Sequence, residues 1–148
     1  MNAAVVGFKL IVSDLERSLA FYEGVFGFKQ AARVDFTGPD VTEVLLNDAN
    51  GNRAFALING DSQPVPTSPG WVPLALQVDD LAPYHKAILD GGYELVVDRL
   101  SLGPVELIMV ADPDGYLVEA ICGDVDNLDD IPAGVKIPHP APHIHDRR

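Results

Sequence analysis

The chain opens on an apolar run, Val5 to Val12, broken only by Gly7 and Lys9, and this predicts a strand. Ser13-Asp14-Leu15-Glu16 follows, with Ser13 and Glu16 at capping-box spacing, so a helix is predicted to begin here. Leu15, Leu19, Tyr22 and Phe26 recur at helical intervals and make one apolar face. Gly27 supplies a stop because it tolerates positive φ. Strands are then predicted over Phe28–Phe36, Val41–Leu46 and Arg53–Ile58, with a turn at Asn47–Gly51 before the last of them.

Gly60 to Gly70 is rich in Pro, Ser and Gly and reads as a linker. Beyond it the same order returns. Leu74–Val78 predicts a strand, and Asp79-Asp80-Leu81-Ala82-Pro83 opens a helix with proline in its first turn. Gly91-Gly92 ends that helix, and Tyr93–Arg99, Val105–Ala111 and Tyr116–Cys122 predict three more strands.

The two halves share landmarks in register. Val12-x-Asp14-Leu15 matches Val78-x-Asp80-Leu81 at an offset of 66 residues, and Gly27-Phe28 matches Gly92-Tyr93 at 65. Asp48-x-x-Gly51 matches Asp112-x-x-Gly115 at 64. An internal duplication of a βαβββ unit accounts for all three. The expected organisation is one α+β domain over residues 1–122, with module one at about 4–60 and module two at about 72–122. Residues 123–148 form a Pro/His-rich arm, expected to pack over the domain or a neighbouring subunit, or to be mobile.

Charge narrows the partners. Twenty-two Asp and Glu oppose ten Lys and Arg, for a formal net charge of −12, so a nucleic-acid backbone is not an expected partner. A cationic or neutral small ligand is compatible with that surface. No apolar run is long enough to span a bilayer, and no signal peptide is read at the N-terminus. Cys122 is the only cysteine, which excludes an intrachain disulfide and suits a reducing cytoplasm, the expected location. Phosphate-loop, dinucleotide-loop and nucleophile-elbow signatures are absent from the sequence.

Two βαβββ halves, the opening "VSDLERSLAFYEGVFGF" and the close "DPDGYLVEAI" resemble the vicinal oxygen chelate superfamily of glyoxalase I, bleomycin-resistance proteins, fosfomycin-resistance enzymes and extradiol dioxygenases. The resemblance covers about residues 4–122. It implies a cup-shaped mixed sheet, with the paired halves enclosing a cavity, and a homodimer, since superfamily members commonly pair and sheet edges need protection. It also implies where a divalent metal would be held. The first-strand ligand lies seven residues before the helix-opening Asp, and the last-strand ligand four after the Gly of the turn. Those rules fall on Gly7, Pro73, Phe55 and Glu119, of which only Glu119 can bind a metal. No cofactor is therefore expected, with a divalent metal left open.

Strand alternation places Gly7, Lys9 and Ile11 on one face and Pro73, Ala75 and Gln77 on another, so Lys9, Phe55, Gln77 and Glu119 are the expected ligand-binding set. Glu119 is the catalytic candidate, as an acid or base in an apolar surround. His139, His143 and His145 are weak candidates for a metal site in the tail, because spacing without a scaffold says little. The expected function is glyoxalase/bleomycin-resistance-like binding of a small organic molecule, by sequestration and without the metal. The alternatives are a metal-dependent or acid/base enzyme, lactoylglutathione lyase-like or dioxygenase-like, and a non-catalytic structural or interaction protein.

Overall fold

The computed structural model describes residues 2–60, 71–125, 134, 136 and 138–147. The chain divides into two compact units, Met1–Pro66 and Thr67–Arg148. The Gly60–Gly70 linker and the acidic start of the arm lie largely outside the described residues.

The first unit contains β1 (Phe8–Ile11), α1 (Leu15–Phe26), β2 (Lys29–Phe36), β3 (Val41–Asn47) and β4 (Arg53–Gly60). The second contains β5 (Leu74–Val78), α2 (Ala82–Asp90), β6 (Leu95–Leu102), β7 (Val105–Ala111) and β8 (Leu117–Gly123). The sheets are β1-β4-β3-β2 and β5-β8-β7-β6. In each, the last strand runs parallel to the first and antiparallel to the third. This is the predicted α+β duplication, with the same strand order in both halves.

The duplication reaches the hydrogen bonds of the turns. Asp48 Oδ1 accepts from the N–H groups of Asn50 and Asn52, both at 2.9 Å, and Asp112 Oδ1 accepts from Asp114 and Tyr116, both at 2.9 Å. Gly51 and Gly115 donate back to the carbonyls of Asp48 and Asp112 at 3.0 and 2.9 Å. Both glycines have positive φ, 82° and 91°, which a side chain would strain. The Asp-x-x-Gly spacing is thus a carboxylate-nucleated turn that launches the last strand of each half.

Several predicted edges move. Asp14, not Ser13, caps α1, its carboxylate accepting from the Arg17 N–H at 3.0 Å. Ser13 instead accepts from the Arg17 guanidinium at 3.0 Å. β1 starts at Phe8 rather than Val5, because pairing with β4 begins at Phe8–Phe55, and Val5 and Val6 stand in solvent. β4 runs on to Gly60, since Val41 pairs with it. β6 begins at Leu95 and continues past Arg99 to Leu102, with Arg99 at φ 52° beside a register shift that the apolar pattern does not reveal.

α1 buries Leu15, Leu19, Phe21, Tyr22, Val25 and Phe26. Tyr22 packs edge-on to Phe55 with ring centroids 5.0 Å apart, and Phe28 does the same at 5.1 Å. In the second unit the fully buried residues include Ile88 of α2, Ile108 and Val110 of β7, and Val118 and Ala120 of β8. Asp112 is 4% exposed and holds its turn through its side chain. Asp112→Ala leaves two backbone donors to find new partners, and we expect a loss of about 1–3 kcal/mol in urea unfolding.

Candidate functional site

Each half has a central last strand, and its alternation decides what each sheet face presents. In β8, Val118 and Ala120 are fully buried on one face, while Leu117, Glu119 and Ile121 share the other. Glu119 pairs in register with Ala75 of β5 and Met109 of β7, so its carboxylate sits among apolar neighbours. Gln77 pairs with Ile121 and shares the Glu119 face, as expected, and donates to the Gly123 carbonyl at 3.4 Å. Pro73, two residues before Ala75, immediately precedes β5 and supplies no donor.

The first unit departs from this scheme at one point. Leu46 pairs with Phe55 but Asn47 pairs with Arg53, so β4 carries one extra residue at Ala54. β8 has no such insertion opposite β7. The bulge turns Phe55 over: the ring stacks on Phe8 at 5.3 Å, meets Tyr22 of α1, and is 1% exposed. Phe55 thus packs in the aromatic core and also lines the pocket beside Lys9. Ala56, paired with Lys9 and with Leu45, holds the position that Glu119 holds between Ala75 and Met109.

Lys9 lies on the face expected of it, away from Phe8 and α1. Its Nζ donates to Glu43 Oε2 at 3.0 Å. Gly7, Lys9, Glu43, Leu45, Arg53 and Ala56 help line a pocket of about 160 Å3 in this unit.

The C-terminal arm packs on its own unit. It contains a 3-10 helix, Pro142–Asp146, and Ala141 and Ile144, both 2% exposed, join a core with Val97, Leu107, Met109, Ala111 and Leu117. Leu117, Met109 and Ile121, the neighbours of Glu119, belong to or pack against this cluster, so the arm covers part of the Glu119 face. Arg147 makes a two-pronged ion pair with Glu94, its second contact at 3.1 Å. His143 Nε2–H faces the Val96 carbonyl at 3.1 Å, and His139 Nδ1 accepts from the Ala141 N–H at 3.1 Å. The His139 and His145 rings meet edge-on at 4.8 Å. The three tail histidines do not converge on one point. The sequence missed this covering role because Ala141 and Ile144 are only two apolar residues among prolines, without a period.

The donor set does not fit a divalent metal. Gly7, Pro73 and Ala56 have no ligating side chain, and Glu119 stands alone at its position. Among the described residues no group of three or more His, Cys, Asp or Glu gathers. Cys122 is partly exposed, and its thiol donates to the Asp79 carbonyl at 3.1 Å. Trp71 caps Tyr116 edge-on at 5.6 Å, and burial, then the charges of Asp112 and Asp114, push the Tyr116 hydroxyl up to about 12.

Glu119 is the electrostatic anomaly. Among the described residues its carboxylate has no hydrogen bond or ion pair, and burial raises its pKa above the usual 4.5. Because the folded value exceeds the unfolded one, the carboxyl favours the native state at low pH. That contribution is lost as pH rises from the unfolded value through the folded one. Glu119→Gln removes the ionisation. We expect it to raise the melting temperature at neutral pH, with the gain vanishing below pH about 4.5, as checked by thermal melts of both proteins across that range.

Comparison with known proteins agrees with this architecture. Residues 4–120 match the family described as the Glyoxalase/Bleomycin resistance protein/Dioxygenase superfamily. A protein named lactoylglutathione lyase from Neisseria meningitidis serogroup A is 28% identical over 117 residues, covering 76% of this chain and 85% of that one. The fosfomycin resistance protein FosX from Listeria monocytogenes superposes with a TM-score of 0.71 at 23% identity, over 85% of this chain and 98% of that chain. A glyoxylase/bleomycin resistance protein/dioxygenase domain from Frankia sp. EAN1pec gives 0.70 at 17% identity, over 84% and 100%. The superpositions speak for the fold, and the match over most of its length shows that the chain belongs to the Glyoxalase/Bleomycin resistance protein/Dioxygenase superfamily.

Proposed function

We propose that this protein binds a small organic molecule at the sheet face carrying Glu119, holds it rather than transforming it, and does so without the divalent metal customary in its superfamily. One observation carries the reading. Glu119 keeps a half-buried carboxylate on an apolar face, unpaired among the described residues, while Gly7, Pro73 and Ala56 supply no ligand that could share a metal with it. An unpaired carboxylate in such a place costs stability, and a ligand that donates hydrogen bonds or carries positive charge relieves that cost. Gln77 offers a second polar group on the same face. A homodimer in a reducing cytoplasm belongs to this reading, supported by the exposed edge strand β2, with Val34 and Phe36 in solvent.

A second reading has its own support. A carboxyl whose pKa is raised by burial can serve as a general acid or base near neutral pH, and the relative from Neisseria is named a lyase. In that case Glu119 would be the group that holds the proton.

The deciding measurement is metal content by plasma mass spectrometry on untagged protein purified without chelator, followed by thermal-shift titration with small organic cations and neutral molecules. We expect metal well below one per chain. We also expect at least one ligand whose affinity falls about tenfold or more in Glu119→Gln, equivalent to about 1.4 kcal/mol. Near-stoichiometric metal that disappears in Glu119→Gln refutes the metal-free reading. Turnover with a pH profile abolished by the same substitution moves the protein to the enzyme reading.

A further inference from the structure

We propose that the first unit carries a carboxylate-binding subsite at Lys9 and Arg53, suited to a small organic acid with an apolar body. The inference rests on the small-molecule reading above and specifies the class of ligand that the first unit would take. It follows from comparing equivalent positions in the two halves. Where the second unit presents Leu107, Met109, Leu117 and Glu119 on one face, the first presents Glu43, Leu45, Arg53 and Ala56, through matching strand pairings. The lone carboxylate of β8 is thus replaced in β4 by a methyl group. The residue beside it changes from Ala75 to Lys9. A carboxylate on one sheet corresponds to a cation on the other.

Lys9, Glu43, Leu45, Arg53 and Ala56 line a pocket of about 160 Å3, together with Phe8 and Phe55. A cavity of roughly 150 Å3 holds a benzene-sized molecule. Its floor is apolar at Leu45 and Ala56, and Ala56 is 3% exposed. Gly7 lines it with backbone alone. At φ 139°, a Cβ there would lie 3.1 Å from the Ala54 carbonyl oxygen, so a side chain is disfavoured at this wall.

The polar rim has a net positive balance. Lys9 and Arg53 face one carboxylate, Glu43, in a chain whose formal charge is −12. The Lys9 ammonium has three donors and spends one on Glu43. Arg53 spends its Nε on Asn47 at 3.4 Å, a long contact that leaves its terminal nitrogens to a ligand. A carboxylate seated between the two cations completes the balance with charge-assisted hydrogen bonds, and its apolar body covers Leu45 and Ala56. An ammonium group at the same place would meet two like charges.

Full-length protein titrated with benzoate, benzylamine and benzyl alcohol, and followed by amide chemical shifts, tests the subsite. Benzoate is expected to shift the Lys9 and Ala56 amides saturably, and to do so less at high salt. Benzylamine and benzyl alcohol should leave these amides unmoved. Lys9→Met and Arg53→Gln should each weaken benzoate binding about tenfold, and Lys9→Arg should retain most of it. Lys9 and Arg53 are both exposed, so the variants are expected to fold, and a thermal melt of each verifies it. Absence of saturable shifts at these amides, equal shifts with benzylamine, or indifference to Lys9→Met overturns the subsite. Glu119-dependent binding of another ligand, persisting after such a result, shows that the subsite fails while the broader function stands.

Discussion

The pairing of each half's last strand between its first and third strands governs everything else in this molecule. β4 and β8 are central strands, hydrogen-bonded on both sides, and side chains on them can only alternate. That alternation sends Val118 and Ala120 to one face and Glu119 to the other. A single inserted residue in β4 reverses the outcome for Phe55. The Asp-x-x-Gly turns set the start of both strands, and they are built from the same four hydrogen bonds in each half.

The two sheets therefore diverge in chemistry while keeping one topology. In the first, the aromatic cluster of Phe8, Tyr22, Phe28 and Phe55 absorbs the position that spacing assigns to a ligand. The opposite face keeps Lys9, Glu43 and Arg53 near solvent. In the second, the face around Glu119 is apolar, and the C-terminal arm lies over part of it through Ala141 and Ile144. The arm is anchored by polar contacts as well, Arg147 to Glu94 and His143 to the Val96 carbonyl. His139 and His143 bond the backbone at Ala141 and Val96, and the His139 and His145 rings meet edge-on.

Glu119 links this architecture to function. A carboxylate with a raised pKa and no partner among the described residues is unfavourable for folding alone. In the function proposed above, a ligand at that strand position relieves the cost. Gly7, Pro73 and Ala56 offer no ligating side chain, and in that proposed function the Glu119 face recognises an organic molecule.

Much of this was legible in the sequence. Apolar periodicity, Gly stops and the repeated Asp-x-x-Gly spacing determined the element order, the duplication and the isolation of Glu119, because these are local or strictly periodic properties of the chain. Lys9 and Gln77 were assigned their faces correctly by alternation counted within single strands. Tertiary structure alone decided the rest. The bulge at Ala54 exists only in the pairing of β3 with β4, so counting from Gly51 landed on Phe55 when Ala56 holds the equivalent place. Asp14 rather than Ser13 caps α1 because the choice depends on backbone angles, which both residue types allow. The arm's packing depends on two apolar side chains meeting a distant sheet, and contacts of that range leave no period in the sequence to read.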